Sequence, residues 1–381
     1  MSVIFWISLL IVAYVYFLYP AILFILTRGW RRPSPAEASA FHPKVTLIVA
    51  AYNEEKVIEE KLKNLLSLRY PRDRLDILIA SDGSTDRTNQ IVRSHAKEGV
   101  ELRAYDRNRG KMAMFNELIP QAAGELVVIS DADALCQEDA LERLVANFAD
   151  DTVGCATCSV QYVNVDVDMV RVGEGLYQRY ENLIRAMESS LGSTVIASGH
   201  FFAIRKSLFH QLPLWLSDDA LMSLITIRAG HRVIADPGVQ VYTRAAISFQ
   251  EEFWRKVRMV TRQLGTLRYT WDILFRYGAF SWEYISHKLL RWLVPFFLVA
   301  LFVANIFLAF ESAFYLATLV AQALFYLTAV VGYIARKAKR RVPLLNLPLY
   351  FCTVNLAAMI GTFNFLLGRQ YATWRKAESS R

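Results

Sequence analysis

Residues 45–54 read VTLIVAAYNE, an apolar run of strand length that stops at polar, turn-forming residues. Val45 to Ala51 is continuous in hydrophobicity, as a strand buried on both faces requires. Asn53 can cap a following helix, with Glu54 and Glu55 in its first turn and Val57, Ile58, Leu62, Leu65 and Leu66 at helical spacing. The unit then repeats in kind. Leu75 to Ala80 is a second strand and ends in Ser81-Asp82-Gly83-Ser84. A helix over 86–97, a strand over 100–105, a helix over 111–122 and a strand from Leu126 to Ser130 come after it, the last ending in Asp131-Ala132-Asp133. This alternation predicts an α/β domain whose parallel sheet is covered by helices on both faces. Ligands of such sheets bind beyond the carboxyl ends of the strands, where both acidic motifs fall.

Outward from this unit the composition changes. Of the 381 residues 54% are hydrophobic and only 20% charged, with a net charge of +8, which excludes a disordered chain. Residues 3–26 carry no charge and are long enough to cross a bilayer. A signal peptide is the rival reading, but no basic region precedes the run and no A-x-A cleavage site comes after it. Arg28, Arg31 and Arg32 come next and place the chain beyond them in the cytoplasm by the positive-inside rule. Residues 289–310 and 312–335 read as two further spans turning at Glu311 and returning to Arg336, Lys337, Lys339, Arg340 and Arg341. Residues 342–367 are apolar but broken by Pro343, Pro348 and Gly361 and punctuated by Asn346, Asn355 and Asn364, with Arg369, Arg375 and Lys376 beyond. A re-entrant or interfacial hairpin is favoured there over a full span. The expected division is a first span over 1–27, a basic linker over 28–44, a catalytic domain over 45–245, interfacial helices over 246–288, a membrane region over 289–368 and a basic tail over 369–381. Because the basic residues gather at membrane edges, no nucleic-acid partner is expected.

Several side chains can carry chemistry, each with a plainer alternative. Asp131 and Asp133 can converge on one hard cation that itself holds phosphate oxygens, or cap a helix over 137–148. Asp82-Gly83 is a turn that can also line a nucleotide pocket. Lys111, at the start of a helix, offers a charge beside N–H groups that favour anions, or is a solvated surface lysine. Asp218 and Asp219 disfavour double ionisation, so one is poised to accept a proton; otherwise they cap the next helix. From Phe249 to Phe275 the sequence is amphipathic, with Arg255, Arg258 and Arg262 on one face. Such a helix lies at the membrane surface with its apolar side in lipid. Arg258 and Arg262 then meet either lipid headgroups or a diphosphate. Cys155 and Cys158 have a metal-site spacing, yet they sit in a strand over 153–163, where positions three apart face opposite sides; they are read as structural.

Taken in order, Tyr52-Asn53-Glu54, Asp82-Gly83-Ser84, Gly110-Lys111, Asp131-Ala132-Asp133, Gly199 through Arg205 (GHFFAIR) and Asp218-Asp219 resemble the membrane-integrated family-2 glycosyltransferases. That branch includes cellulose, chitin, hyaluronan and poly-N-acetylglucosamine synthases. The resemblance implies a GT-A (Rossmann-like) mixed sheet flanked by transmembrane helices and an interfacial helix. It also implies a nucleotide-sugar donor, UDP-linked, and a saccharide or lipid-linked acceptor. Asp82 would bind the base, and Tyr52, Asn53, Glu54 and Gly83 would line the nucleotide pocket. Asp131 would approach the ribose and sugar, Asp133 would ligate Mg2+ or Mn2+, and Lys111 would face the diphosphate. Asp219 would be the catalytic base with Asp218 beside it, and Gly199 and Arg205 would form the acceptor-side wall. Membrane lipids and other subunits of a polysaccharide-export system are the implied partners. One departure stands out: where processive synthases carry Q-x-x-R-W, this chain has Arg255-Lys256-Val257-Arg258-Met259, without the Trp that supports the acceptor sugar. Processive synthesis and addition of a single sugar therefore both remain open, and a non-catalytic membrane scaffold is the reading from another class.

Overall fold

The computed structural model describes residues 1–29, 41–163, 169–244, 248–338, 340 and 342–371. Arg31, Arg32, Lys339, Arg341, Arg375 and Lys376, whose charges bear on topology, lie outside the described residues. Among the described residues, eight strands form one sheet in the order β3-β2-β1-β4-β7-β6-β8-β5. β1 (Val45–Ala51), β2 (Leu75–Asp82), β3 (Val100–Tyr105) and β4 (Leu126–Asp131) are the parallel half expected from the alternation. β5 (Leu135–Cys136), β6 (Val153–Tyr162), β7 (Phe201–Arg205) and β8 (Arg232–Thr243) complete the sheet. β7 enters antiparallel to both β4 and β6, which makes the sheet mixed.

Every residue of β1 is buried, because both sheet faces are covered. Helices 111–121 and 218–228 pack on one face through Met112, Phe115, Leu118, Leu221 and Leu224. Helices 58–66 and 140–146 pack on the other through Ile58, Leu62, Leu65, Leu141 and Leu144. Each fully buried aliphatic side chain contributes on the order of 1.5–3 kcal/mol, so these two layers fix the positions of the loops between them. Cys155 lies in one layer and Cys158 in the other, as their spacing in a strand dictates, and both are free thiols.

Among the described residues, four helices are long and apolar enough to cross a membrane: Ser2–Thr27, Ala279–Leu308, Ala313–Lys337 and Pro343–Leu366. The last corrects the hairpin expected over 342–367. Pro343 opens a short 3-10 turn and Pro348 lies in the first turn of the helix from Asn346, where a missing N–H removes no helical bond. Gly361 packs against helix 249–269, where an added Cβ would meet Val260 Cβ at 2.8 Å and Val257 O at 2.9 Å. Asn355 Nδ2 bonds Phe351 O at 2.9 Å and Tyr16 Oη at 3.3 Å, so this polar punctuation faces protein. The second span starts earlier than expected, at Ala279 instead of 289, because Glu283, His287, Lys288 and Arg291 are buried in the protein.

Helix 249–269 also departs from expectation. Its apolar side is not left for lipid: Val257 and Val260 meet Gly361, and Leu264 and Leu267 join the core on the sheet face covered by helices 111–121 and 218–228. Over its central turns only Trp254, 57% exposed, and Met259, 41% exposed and lining a cavity, are uncovered apolar residues. The helix runs beside 343–366, from Phe249 near Leu349 and Tyr350 to Thr261, whose Oγ1 donates to Gly361 O at 3.1 Å.

Candidate active site

The loops after β1, β2 and β4 meet at one edge of the sheet, as parallel register requires. Asn53 adopts a left-handed conformation, φ +55°, unusual for a residue with a Cβ but tolerated by Asn. Its N–H donates to Ser84 Oγ at 3.0 Å and its Oδ1 accepts from Thr85 N–H at 2.8 Å. Asn53 thus ties the β1 and β2 loops together and does not cap the next helix, which begins at Ile58. Glu54 N–H donates to Thr88 Oγ1 at 2.8 Å, and Tyr52 stands half-buried on the same loop.

Asp82 is fully buried, and its two oxygens accept from the N–H groups of Arg109 and Gly110 at 2.9 and 2.8 Å. It braces the 106–110 loop over the sheet edge where the loops after β1, β2 and β4 meet. Gly83 has φ +76°, and a Cβ there would lie 2.6 Å from the carbonyl carbon of Arg107. Gly83→Ala therefore combines backbone strain with a backbone clash. It is expected to lower stability by about 2 kcal/mol or more and to weaken nucleotide binding, as thermal unfolding and calorimetric titration would measure.

Lys111 does not stand free. Its Nζ lies 2.8 Å from Asp131 Oδ1 and 3.0 Å from Asp218 Oδ2, linking the acidic loop after β4 to the start of helix 218–228. Burial works against the ammonium, but the two carboxylates outweigh it and raise its pKa. Burial also favours protonated Asp218, yet Lys111 and Arg262 hold that carboxyl below its ordinary range. Asp219 goes the other way: burial and the adjacent Asp218 raise it. Two neighbouring carboxyls with pKa values pushed apart is the pattern of an acid–base site. Asp219 Oδ1 is occupied, accepting from Ser217 Oγ at 2.6 Å and Ala220 N–H at 2.8 Å. Its Oδ2 turns toward Gly199, where a Cβ would lie 3.3 Å away. The glycine leaves that oxygen room.

Asp131 keeps Oδ2 clear of Lys111, and Asp133 is exposed at the tip of the same loop; neither caps helix 140–146, whose N-cap is Asp139. Two hard carboxylate ligands fit Mg2+ or Mn2+. No group of three or more ligating side chains occurs among the described residues, so substrate oxygens and water would complete such a shell.

A family model described as Glycosyl transferase family 2 matches residues 46–212. The chain carries a family-2 glycosyltransferase domain. Among curated relatives, a beta-monoglucosyldiacylglycerol synthase of Nostoc is 27% identical over 271 residues, covering 66% of this chain and 56% of the relative. A poly-beta-1,6-N-acetyl-D-glucosamine synthase of Staphylococcus aureus is 28% identical over 200 residues, covering 51% and 48%. The chain spans about half the length of these curated relatives. The solved structure of a mannosyltransferase from Pyrobaculum calidifontis, in complex with GDP-Man and Mn2+, superposes with TM-score 0.73 at 24% identity. That alignment covers 96% of this chain and 99% of that one, and establishes the GT-A fold.

Within this glycosyltransferase fold one expected site residue is misplaced. Arg205 lies opposite Leu126, at the start of β4, because β7 runs antiparallel. Its guanidinium donates to the carbonyls of Val153, Phe148 and Asp150, at the sheet end away from Asp131. It braces the 148–153 turn and does not form an acceptor wall; Gly199, before β7, remains beside Asp219. The two helix arginines also separate in role. Arg262 Nη2 donates to Leu216 O and so holds the loop before Asp218. Arg258 is half-buried, and no hydrogen bond or ion pair to another described residue is found for it; burial and Arg262 lower its pKa. Its guanidinium has no described carboxylate partner, unlike that of Arg255.

Two features escaped the sequence reading. Lys61 is fully buried beneath the β4 loop, where its Nζ donates to Ser130 Oγ at 2.7 Å and also to Ala134 O. Burial pushes this ammonium down. The signal was present: Lys61 falls on the same helical stripe as Ile58, Leu62 and Leu65. Helix 169–191 carries Glu174, Glu181 and Glu188 at intervals of seven, all buried. Glu174 and Glu252 pair with Arg255, while Glu181 and Glu188 bind His287 of the second membrane helix at 3.1 and 2.6 Å.

Proposed function

We propose that the protein transfers one sugar, with inversion, from a nucleotide sugar to a hydroxyl of a membrane-held acceptor at the cytoplasmic membrane face. The observation that carries this reading is the chain of contacts from the Asp131 loop through Lys111 to Asp218, ending at Asp219 with one oxygen free. It joins a diphosphate-side acidic loop to a base of raised pKa. The acceptor hydroxyl oxygen attacks the anomeric carbon as its proton passes to Asp219 Oδ2. The bond from that carbon to the diphosphate breaks, and its electron pair leaves with the nucleoside diphosphate. A divalent cation held by Asp133 and Asp131 would neutralise charge on the departing diphosphate, and Lys111, beside Asp131, supplies protein charge at that loop.

Addition of one sugar, not a polymer, is supported by two features. Met259 lines the cavity beside the base where processive synthases place a Trp, and that cavity measures ≈150 Å3, below the range of drug-sized ligand sites. Offering a panel of labelled UDP- and GDP-sugars to the full chain with a membrane lipid extract tests this. One donor should yield a product of a single mobility; a ladder of products would overturn single addition. The pH profile tests the base. Transfer rises with pH as Asp219 loses its proton, and since the Asp219 pKa is raised, kcat/KM should fall on acidification above the usual aspartate range. Asp218→Asn removes one of the charges that raise it, so the acid limb should move to lower pH.

A further inference from the structure

Helix 58–66 carries, one turn apart, two polar side chains that both reach the segment running from β4 into β5. Asn64 holds Cys136 at two points: its Nδ2 donates to Cys136 O at 2.7 Å, and its Oδ1 accepts from Cys136 N–H at 2.8 Å. Lys61 grips the same segment nearer its start, donating to Ser130 Oγ at 2.7 Å and to Ala134 O. Ser130 precedes Asp131 and Ala134 follows Asp133, so one ammonium brackets both carboxylates. Asp131 has a partner of its own in Lys111. Asp133 is exposed, and no hydrogen bond or ion pair to another described residue is found for its side chain. Its place therefore depends on the backbone that Lys61 holds.

Lys61 is a costly choice for a purely structural position. It is fully buried, and among the described residues no carboxylate lies within ion-pair distance of its Nζ; the acidic side chains whose charge reaches it are Asp131 and Asp133. A buried charge without a direct partner is expensive, and an apolar side chain of similar volume would fill the space beside Ile58, Leu62 and Leu65 without that penalty. Ser130 passes the contact on. With its oxygen accepting from Lys61, its hydroxyl proton turns toward the carbonyls of Asp131 and His200, both at 3.3 Å. His200 O also accepts from Asp131 N–H at 3.1 Å. Since His200 follows Gly199, which stands beside Asp219, the line from Lys61 runs through the acidic loop to the side of the base.

We infer that Lys61 is a positioning residue for the divalent cation: acting through Ser130 and Ala134, it holds Asp131 and Asp133 in the spacing that one metal ion needs. The inference rests on the reading that these two carboxylates hold the cation. Two effects of the ammonium oppose each other. Its hydrogen bonds order the loop and strengthen metal binding, whereas its charge repels a second cation. The hydrogen bonds win, because they act directly on both ends of the loop, while the charge behind it is offset by the two carboxylates in front.

Mn2+ binding to the full chain in nonionic detergent, read from loss of the EPR signal of free Mn2+, tests this without turnover. Lys61→Met is expected to weaken Mn2+ binding roughly 10- to 100-fold, the usual effect of removing a group that orients metal ligands. Ser130→Ala, a small change that keeps the core filled, should weaken it roughly 3- to 10-fold. The double variant should lose less than the two effects combined, because both substitutions break one bond. Mn2+ affinity within about two-fold of wild type in either variant, with only a lower unfolding midpoint, would make Lys61 a core residue and overturn the proposal. Tighter binding by Lys61→Met would overturn it as well, by showing that charge outweighs hydrogen bonding. Failure of the metal reading itself would show separately, as wild-type Mn2+ binding left unchanged by Asp133→Asn.

Discussion

Asp219→Asn is expected to lower sugar transfer by about 10²–10⁴-fold while leaving nucleotide affinity within a few-fold of wild type. The amide keeps the side chain's shape and can still accept from Ala220 N–H and Ser217 Oγ at Oδ1. It loses the free, basic oxygen facing Gly199. The adjacent Asp218 does not replace it, being held by Lys111 at 3.0 Å and made a weaker base by its lowered pKa. Steady-state rates with the matched donor, together with titration of the nucleoside diphosphate, separate the two quantities. A parallel fall in nucleotide affinity would instead make Asp219 part of the donor pocket.

Lys111→Met should be the most damaging change to the protein itself. Lys111 sits between Asp131 and Asp218 with only 13% of its side chain exposed, and Asp218 has 10%. Removing one partner of a buried ion pair costs about 3–5 kcal/mol, and here it leaves two carboxylates facing one another across the vacated space. The effect of pH has a definite sign. In the wild type, the depressed Asp218 pKa stabilises the fold above the carboxyl's unfolded pKa, and that stability is lost as pH falls through the folded value. In the variant, the folded Asp218 pKa should lie above the unfolded one, so the deficit is largest at neutral pH and shrinks on acidification. Denaturant unfolding at two pH values would measure it; an equal deficit at both would show that Lys111 acts by packing alone.

Much of this architecture is legible in the chain because it is local. The strand–loop units at 45–54, 75–84 and 126–133 announce themselves by continuous hydrophobicity ended by Asn, Asp and Gly, and parallel strands must deliver those ends to one edge. The placement of Arg205 was not legible, because the reversal of β7 comes from pairing with β4 and β6 rather than from any property of residues 201–205. Lys111 and Arg262 carry the expected charges, but their partners are set by tertiary packing, so a diphosphate contact and a structural brace look alike in sequence. The hairpin expected over 342–367 failed for a related reason: prolines in a first turn and asparagines facing protein read as breaks only when their neighbours are unknown. Charges at the edge of an apolar span, such as His287, Lys288 and Arg291, are expensive unless answered, and the acidic repeat at 174, 181 and 188 was the available sign of the groups that answer them.

The central claim is a single displacement assisted by Asp219, and the configuration of the new glycosidic bond tests it most directly. Proton NMR of the lipid-extracted product, made from a donor of known anomeric configuration, reads that bond from the coupling of its anomeric proton. The account predicts a configuration opposite to the donor's. A product with the donor's configuration retained would contradict it.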